Sequence, residues 1–241
     1  MATKIEKTDK EKTEEIKKYM TRSAKDFNWF RHLWQILVTK FWYGLSYKYI
    51  YRYEVYGREN IPKTNNYVVV GNHLSTLDPP LVCNVLNHPV AYMAKKELFY
   101  HPFIKVMLDW LGSFAVDRES VGLSTIKSAK AIRGTKDWVL GLFPQGTREK
   151  GNEIHNVTRG FVGLARATKC DILPIGIIGT DKPKKIPFTG KIIVRIGPVI
   201  KLSDNPDEMF DKWIEAIQEL TGFKYVPDVV EGQEENVEEL R

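Results

Sequence analysis

Three patterns of apolar and polar positions follow one another along the chain. Residues 1–28 mix Lys and Glu densely without an apolar run, which reads as a charged helix lying on a surface or in solvent rather than as a signal peptide. Residues 29–51 are different. Set on a helix at 100° per residue, Arg31, His32, Gln35, Thr39 and Ser46 gather on an arc of about 100°, and nearly everything else is apolar or aromatic. Such a segment is interrupted by charge too often to span a bilayer. Its apolar arc is wider than a core-facing stripe needs, and Trp29, Trp34 and Trp42 with the following tyrosines suit a membrane–water interface. Two readings stand open: a helix lying in one face of a membrane, or a core or dimer helix. Lys40 and Lys48, placed among the apolar side chains, are expected to reach water along their stems.

From about residue 55 the pattern alternates. Apolar, β-rich runs at 67–70, 90–93, 114–116, 138–143, 172–178 and 192–196 predict strands. Helical spacing recurs at 81–86, 103–110, 123–132 and 161–167, and residues 204–220 read as a closing amphipathic helix whose Phe210 and Trp213 belong to the core. The alternation predicts an α/β fold, a layered sheet with flanking helices, preceded by N-terminal amphipathic membrane-associating helices. The expected organisation is a membrane-associating segment over 1–54, a body over 55–225 and an acidic tail over 226–241.

Charge adds to this picture. The chain of 241 residues carries a formal net charge of +6. Residues 227–241 hold six acidic residues and one Arg, a net of −5, so residues 1–226 carry +11. Such a body suits an anionic partner: a phosphate compound, acidic lipid or nucleic acid. Cys83 and Cys170 fall in or beside apolar runs and form no metal-like pair.

The chemistry gathers after the predicted strands. Residues 71–80, Gly-Asn-His-Leu-Ser-Thr-Leu-Asp-Pro-Pro, follow the 67–70 run, so His73 stands just past a strand's carboxyl end, where open α/β sheets place their ligands. Asp78-Pro79 reads as a helix start, with Asp as N-cap and Pro at the first helical position. The turn between strand and helix can return the Asp78 carboxylate to one nitrogen of His73, which fixes the tautomer and leaves the other nitrogen to take a proton. The plainer alternative is a helix cap and a turn residue.

Four further stretches qualify. Lys95 follows the 90–93 strand and meets either an anion or solvent. In residues 112–118, Gly-Ser-Phe-Ala-Val-Asp-Arg, a strand ends on Arg118, whose guanidinium suits a phosphate. Residues 142–148, Leu-Phe-Pro-Gln-Gly-Thr-Arg, run from a strand into a Gly turn able to form an anion nest. With Gly141 before it, this stretch is similar to a phosphate loop whose Lys is missing, so nucleotide-triphosphate binding is not expected. Pro174, inside the 172–178 run, predicts an edge strand or a pocket wall.

In this order the stretches resemble the glycerolipid acyltransferase family, which includes the 1-acylglycerol-3-phosphate acyltransferases (lysophosphatidic acid acyltransferases). Its His-four-residues-Asp motif matches Asn72, His73 and Asp78; its Gly-five-residues-Arg motif matches Gly112 and Arg118; its Phe-Pro-Glu-Gly-Thr-Arg motif matches Phe143, Pro144, Gly146, Thr147 and Arg148; its strand Pro matches Pro174. The resemblance covers about residues 55–200. It implies acyl transfer from acyl-CoA or acyl carrier protein to the sn-2 hydroxyl of 1-acylglycerol-3-phosphate, giving phosphatidic acid. His73 is the expected base and Asp78 its orienter. Arg118 and Arg148, with Lys95, are expected to hold the acceptor phosphate. Gln145, Gly146 and Thr147 are expected around the oxyanion and acceptor. No Gly-x-Ser-x-Gly elbow suggests an acyl-serine. The resemblance implies no cofactor beyond the thioester co-substrate and no metal. The expected partners are a phospholipid membrane surface, at its cytoplasmic face, and a lysophospholipid, and no nucleic acid. The rivals are another acceptor (glycerol-3-phosphate, another lysophospholipid or an amino-acid lipid) and a non-catalytic basic binding protein.

The chain departs from the family at Gln145, where Glu is usual, and at Glu149, where many members have Ser. If residue 145 faces the phosphate, Gln145→Glu is expected to weaken the hold on a phosphate-bearing acceptor.

Overall fold

The computed structural model describes residues 9–86, 88–117, 122–182 and 191–227. In chain order they form α1 (Asp9–Met20), α2 (Trp29–Ile36), a π-helical turn over Leu37–Tyr43, α3 (Gly44–Tyr49), β1 (Glu54–Tyr56), β2 (Tyr67–Gly71), α4 (Asp78–Val85), β3 (Val90–Lys95), α5 (Pro102–Trp110), β4 (Phe114–Val116), α6 (Leu123–Arg133), β5 (Val139–Leu142), β6 (Glu153–Ile154), α7 (Gly160–Thr168), β7 (Asp171–Ile178), β8 (Ile193–Ile196), α8 (Pro206–Thr221) and β9 (Lys224–Tyr225). Every strand and helix read from periodicity in the body is present, with ends displaced by at most three residues. The strands that went unread, β1, β6 and β9, are two or three residues long and too short to display a period.

Seven strands make one mixed sheet in the order β1-β8-β7-β2-β5-β3-β4. The strands β7, β2, β5, β3 and β4 run parallel, β8 is antiparallel to β7, and β1 follows β8. Parallel strands covered by helices on both faces bury every side chain, which is why 67–70 and 172–178 read as unbroken apolar runs. On one face Val68, Val70, Leu140 and Ile172 pack against Phe161 of α7 and Trp213 of α8; on the other, Val69, Leu173 and Ile175 pack against Leu81 of α4 and Tyr47 of α3. β2 pairs with β5 on one side and β7 on the other, so the loop after β2 is flanked by the loops after β5 and β7.

Two motif residues serve the sheet in ways the sequence did not convey. Pro174 lies on neither edge, because β7 is enclosed by β2 and β8. Ile172 pairs with Ile200 and Ile175 with Ile196, so two residues of β7 face three of the other strand. Pro174 sits in that bulge, where a missing N–H is tolerated. Gly141 belongs to β5 and to no phosphate loop. A Cβ there would stand 2.4 Å from the Tyr92 ring and 2.5 Å from Val90 Cγ1. Gly141→Ala is therefore expected to destabilise the fold by about 1–3 kcal/mol, read as a lower urea midpoint at unchanged slope. An unchanged midpoint would mean that Tyr92 has room to move aside.

The segment before the body packs with its polar side inward. Gln35 is buried, donating to Val90 O and Leu111 O and accepting from Val90 N. Arg31 and the buried Arg22 both pair with Asp109 of α5. In the π turn the Thr39 carbonyl faces Asn84 of α4, whose amide donates to it at 2.9 Å. Lys40 is exposed, but its ammonium turns back onto the protein. Its ammonium bonds Asn84 O and Leu86 O at 2.7 and 3.0 Å, the open carbonyls at the end of α4, and burial lowers its pKa. The opposite, apolar side is left bare: Trp29 is 75% exposed, Phe41 66% and Trp42 73%. α5 extends the same surface through Phe103, Val106 and Trp110; the Trp110 ring stands edge-on to Phe30 and Trp34. Of the acidic tail, Val226 still bonds Ile154 O, and residues 228–241 lie outside the described chain.

Candidate active site

Asn72 carries β2 past its last residue. Its amide donates to Ile177 O at 2.9 Å and accepts from Ile177 N at 2.7 Å, a side-chain copy of the ladder between β2 and β7. His73 comes next, at the carboxyl edge of the sheet. The chain then turns into α4, and here the helix cap falls one residue earlier than the sequence suggests: Leu77 is the N-cap, Asp78 the first helical residue and Pro79 the second.

The carboxylate of Asp78 therefore serves the turn ahead of the helix. It is fully buried. Oδ2 accepts from His73 Nδ1 at 2.8 Å and from the N–H groups of Leu74 and Ser75 at 2.7 Å each. Oδ1 accepts from the Thr180 hydroxyl at 2.5 Å. These four donors replace the water a buried carboxylate would otherwise need. With Nδ1 facing a carboxylate, the ring proton of neutral His73 belongs on Nδ1 and the lone pair on Nε2. Nε2 has no hydrogen bond among the described residues, and the side chain is 15% exposed. Phe143 stacks on the imidazole at 4.4 Å between centroids, and Tyr92 stacks on Phe143 at 5.5 Å.

The loop after β5 reaches His73 because β5 is the neighbour of β2. Phe143-Pro144-Gln145-Gly146 closes as a turn, with Gly146 N donating to Phe143 O at 3.0 Å and Gly146 at φ +68°. The Gly146 N–H is thus committed to the turn, whereas the Thr147 N–H carries no bond among the described residues. Thr147 and Arg148 are exposed at the rim. Gln145 is only 4% exposed and faces inward; its Oε1 accepts from His73 N and its Nε2 donates to Glu149. Gln145 is expected around the oxyanion and acceptor, and both ends of its amide are bound within the protein.

Of the remaining candidates, Lys95 stands further out. Lys95 ends β3, two strands from β2, and its ammonium lies 3.7 Å from Glu97 with the side chain 55% exposed. The ammonium bonded to Asp117, at the end of β4, is that of Lys96. Arg118 lies outside the described residues. Gly112, its motif partner, takes φ +79° and leaves its Cβ position to the Trp138 ring, a packing role. Among the described residues no group of three or more His, Cys, Asp and Glu could hold a metal ion.

Sequence reasoning missed Thr180 and Glu149 as members of this cluster. Thr180 lies 102 residues from Asp78, and its one signal is a hydroxyl two residues beyond the apolar strand β7. Glu149 was noted only as a departure.

Comparison with known proteins identifies the family. The acyltransferase family profile matches residues 52–178. The chain is 31% identical over 162 residues to the 1-acyl-sn-glycerol-3-phosphate acyltransferase of Borreliella burgdorferi, covering 64% of this chain and 65% of that protein. It is 32% identical over 152 residues to the enzyme of the same name from Bacillus subtilis, covering 63% and 75%, and 34% identical over 157 residues to that of Pseudomonas aeruginosa, covering 62% and 59%. The chain thus spans under two thirds of the Borreliella and Pseudomonas relatives. The crystal structure of the 1-acyl-sn-glycerophosphate (LPA) acyltransferase PlsC from Thermotoga maritima shares the fold, with a TM-score of 0.58 at 24% identity over 69% of each chain.

Proposed function

The chain belongs to the acyltransferase family, and on that premise we propose that it moves a fatty acyl group from acyl-CoA or acyl carrier protein to the sn-2 hydroxyl of 1-acylglycerol-3-phosphate, giving phosphatidic acid. The observation that carries the mechanism is His73 with Nδ1 on a buried carboxylate and Nε2 open to the surface. Nε2 takes the proton of the acceptor hydroxyl as its oxygen attacks the thioester carbonyl carbon. Asp78 stabilises the imidazolium that forms. Collapse of the tetrahedral intermediate breaks the carbon–sulfur bond, and the leaving thiolate takes the proton back from Nε2. The Thr147 N–H is the donor left for the oxyanion. Arg148 and Arg118, with Lys95, supply the cationic charge for the acceptor phosphate. A panel of acceptors (1-acylglycerol-3-phosphate, glycerol-3-phosphate, lysophosphatidylcholine and an amino-acid lysolipid) with both thioester types, read by mass spectrometry, tests the assignment. The highest kcat/KM should fall to 1-acylglycerol-3-phosphate; preference for another acceptor would replace it.

The same reading places the protein on the cytoplasmic face of a membrane without crossing it. The support is the inverted front end. Its polar arc is spent on the protein, and its apolar arc faces outward together with α5. Exposed aromatic surface on this scale marks an interaction site, and the +11 body suits anionic headgroups. No helix among the described residues is long and apolar enough to cross a bilayer. Trp29→Glu with Trp42→Glu should leave the fold intact, since both rings are exposed, and move most of the protein off anionic liposomes in a flotation assay. Unchanged flotation would assign the surface to another partner. High salt should release only part of the wild type, because screening weakens the headgroup attraction and leaves apolar burial.

A further inference from the structure

Gln145 stands between a group that must donate and a group that accepts, and its uncharged amide serves both. Its Oε1 accepts from the His73 N–H at 2.8 Å, and its Nε2 donates to Glu149 Oε2 at 3.2 Å. Glu149 returns to the same residue, its N–H donating to His73 O at 2.9 Å. The backbone of His73 is therefore held on both sides by a closed ring of hydrogen bonds from one loop. Glu149 is anchored in turn by the His155 N–H at 3.1 Å and the Asn156 amide at 2.6 Å.

We infer that Gln145 and Glu149 form one positioning unit for His73, and that residue 145 is Gln here because residue 149 is Glu. The inference rests on the acyl-transfer reading for its consequence in turnover and on the hydrogen bonds alone for its geometry. An ionised Glu at 145 could still accept from His73 N–H, but it has no proton to give Glu149. Two carboxylates would then face each other across the 3.2 Å now spanned by a hydrogen bond. Their repulsion would act on the loop that carries His73. This differs from the charge effect expected of a residue that faces the phosphate. The unit acts on the position of the base, so it should appear in kcat more than in acceptor KM.

The test compares the wild type, Q145E, E149Q and the double variant Q145E/E149Q in steady-state kinetics on 1-acylglycerol-3-phosphate. Q145E should lower kcat about 10- to 100-fold, the scale of a misplaced catalytic group, with acceptor KM within a few-fold. E149Q should cost a few-fold. The double variant should recover to near E149Q, because Gln at 149 can donate to Glu at 145. A double variant no better than Q145E, or Q145E with wild-type kcat, would overturn the unit. If Q145E does not fold, Q145M replaces it: same length, uncharged, without either hydrogen bond, and expected to lower kcat at unchanged KM. Amide hydrogen exchange at His73 reads the contact without turnover and should be about tenfold faster or more in Q145M; equal exchange would overturn the proposal. An inactive wild type would count against the acyl-transfer reading alone, and exchange would still decide the unit.

Discussion

His73→Ala should retain only about 10⁻² to 10⁻⁴ of wild-type acyl transfer, the loss that follows removal of a general base. The fold should survive. The bonds tying residue 73 to Gln145 and Glu149 are made by its backbone and remain in the variant. Asp78 Oδ2 keeps the Leu74 and Ser75 amides as donors. What is lost is one side-chain hydrogen bond and the stacking on Phe143, about 1–2 kcal/mol together. Kinetics and a urea melt on the same sample separate the two effects. Near-normal turnover in a folded variant would remove His73 from the mechanism.

Asp78 holds the turn and, in the proposed mechanism, stabilises the imidazolium; two substitutions separate these roles. Asp78→Asn can keep its oxygen toward His73, Leu74 and Ser75 and turn its NH₂ to Thr180, whose hydroxyl then accepts. Hydrogen bonding is retained and the negative charge beside the imidazolium is lost. The expected result is a near-normal melt with kcat lower by about 10²–10⁴-fold, as for a base deprived of its carboxylate. Asp78→Ala also strands the Leu74 and Ser75 N–H groups, at about 1–3 kcal/mol each. It should lose stability as well as activity. If Asp78→Asn is fully active, the carboxylate holds only the turn. Had Asp78 been the N-cap, the alanine variant would have cost about 1 kcal/mol, and this larger loss is what distinguishes the observed geometry.

What could be read from the sequence follows from burial. Strands β2 and β7 are covered on both faces, so their composition alone announces them. His73 and Asp78 were legible because the strand, the turn and the helix that join them are local. The partners across the sheet were not legible. Thr180 reaches Asp78 only because β7 neighbours β2, a fact of topology that no short window contains. The inward direction of Gln145 is not legible in the sequence, because a turn residue's direction depends on a hydrogen bond closed behind it, here Gly146 N to Phe143 O. The polar arc of residues 29–51 is legible as an arc. Its direction is not, since helical periodicity does not say which side meets protein. Gln35 and Arg31 settle that within the described residues by bonding α5, β3 and the chain between α5 and β4. Arg118 and the acidic tail beyond residue 227 carry expectations that fall outside the described residues.

The central claim is that the hydroxyl of 1-acylglycerol-3-phosphate attacks the thioester directly, with His73 as base. A rapid-mixing experiment tests it most closely. Protein on anionic liposomes is mixed first with acyl thioester alone and then with 1-acylglycerol-3-phosphate, while free thiol and lipid products are followed together. No thiol burst is expected before the acceptor is added, and then one phosphatidic acid for each thiol released. A stoichiometric burst without acceptor, or thiol released with free fatty acid in place of phosphatidic acid, would contradict it.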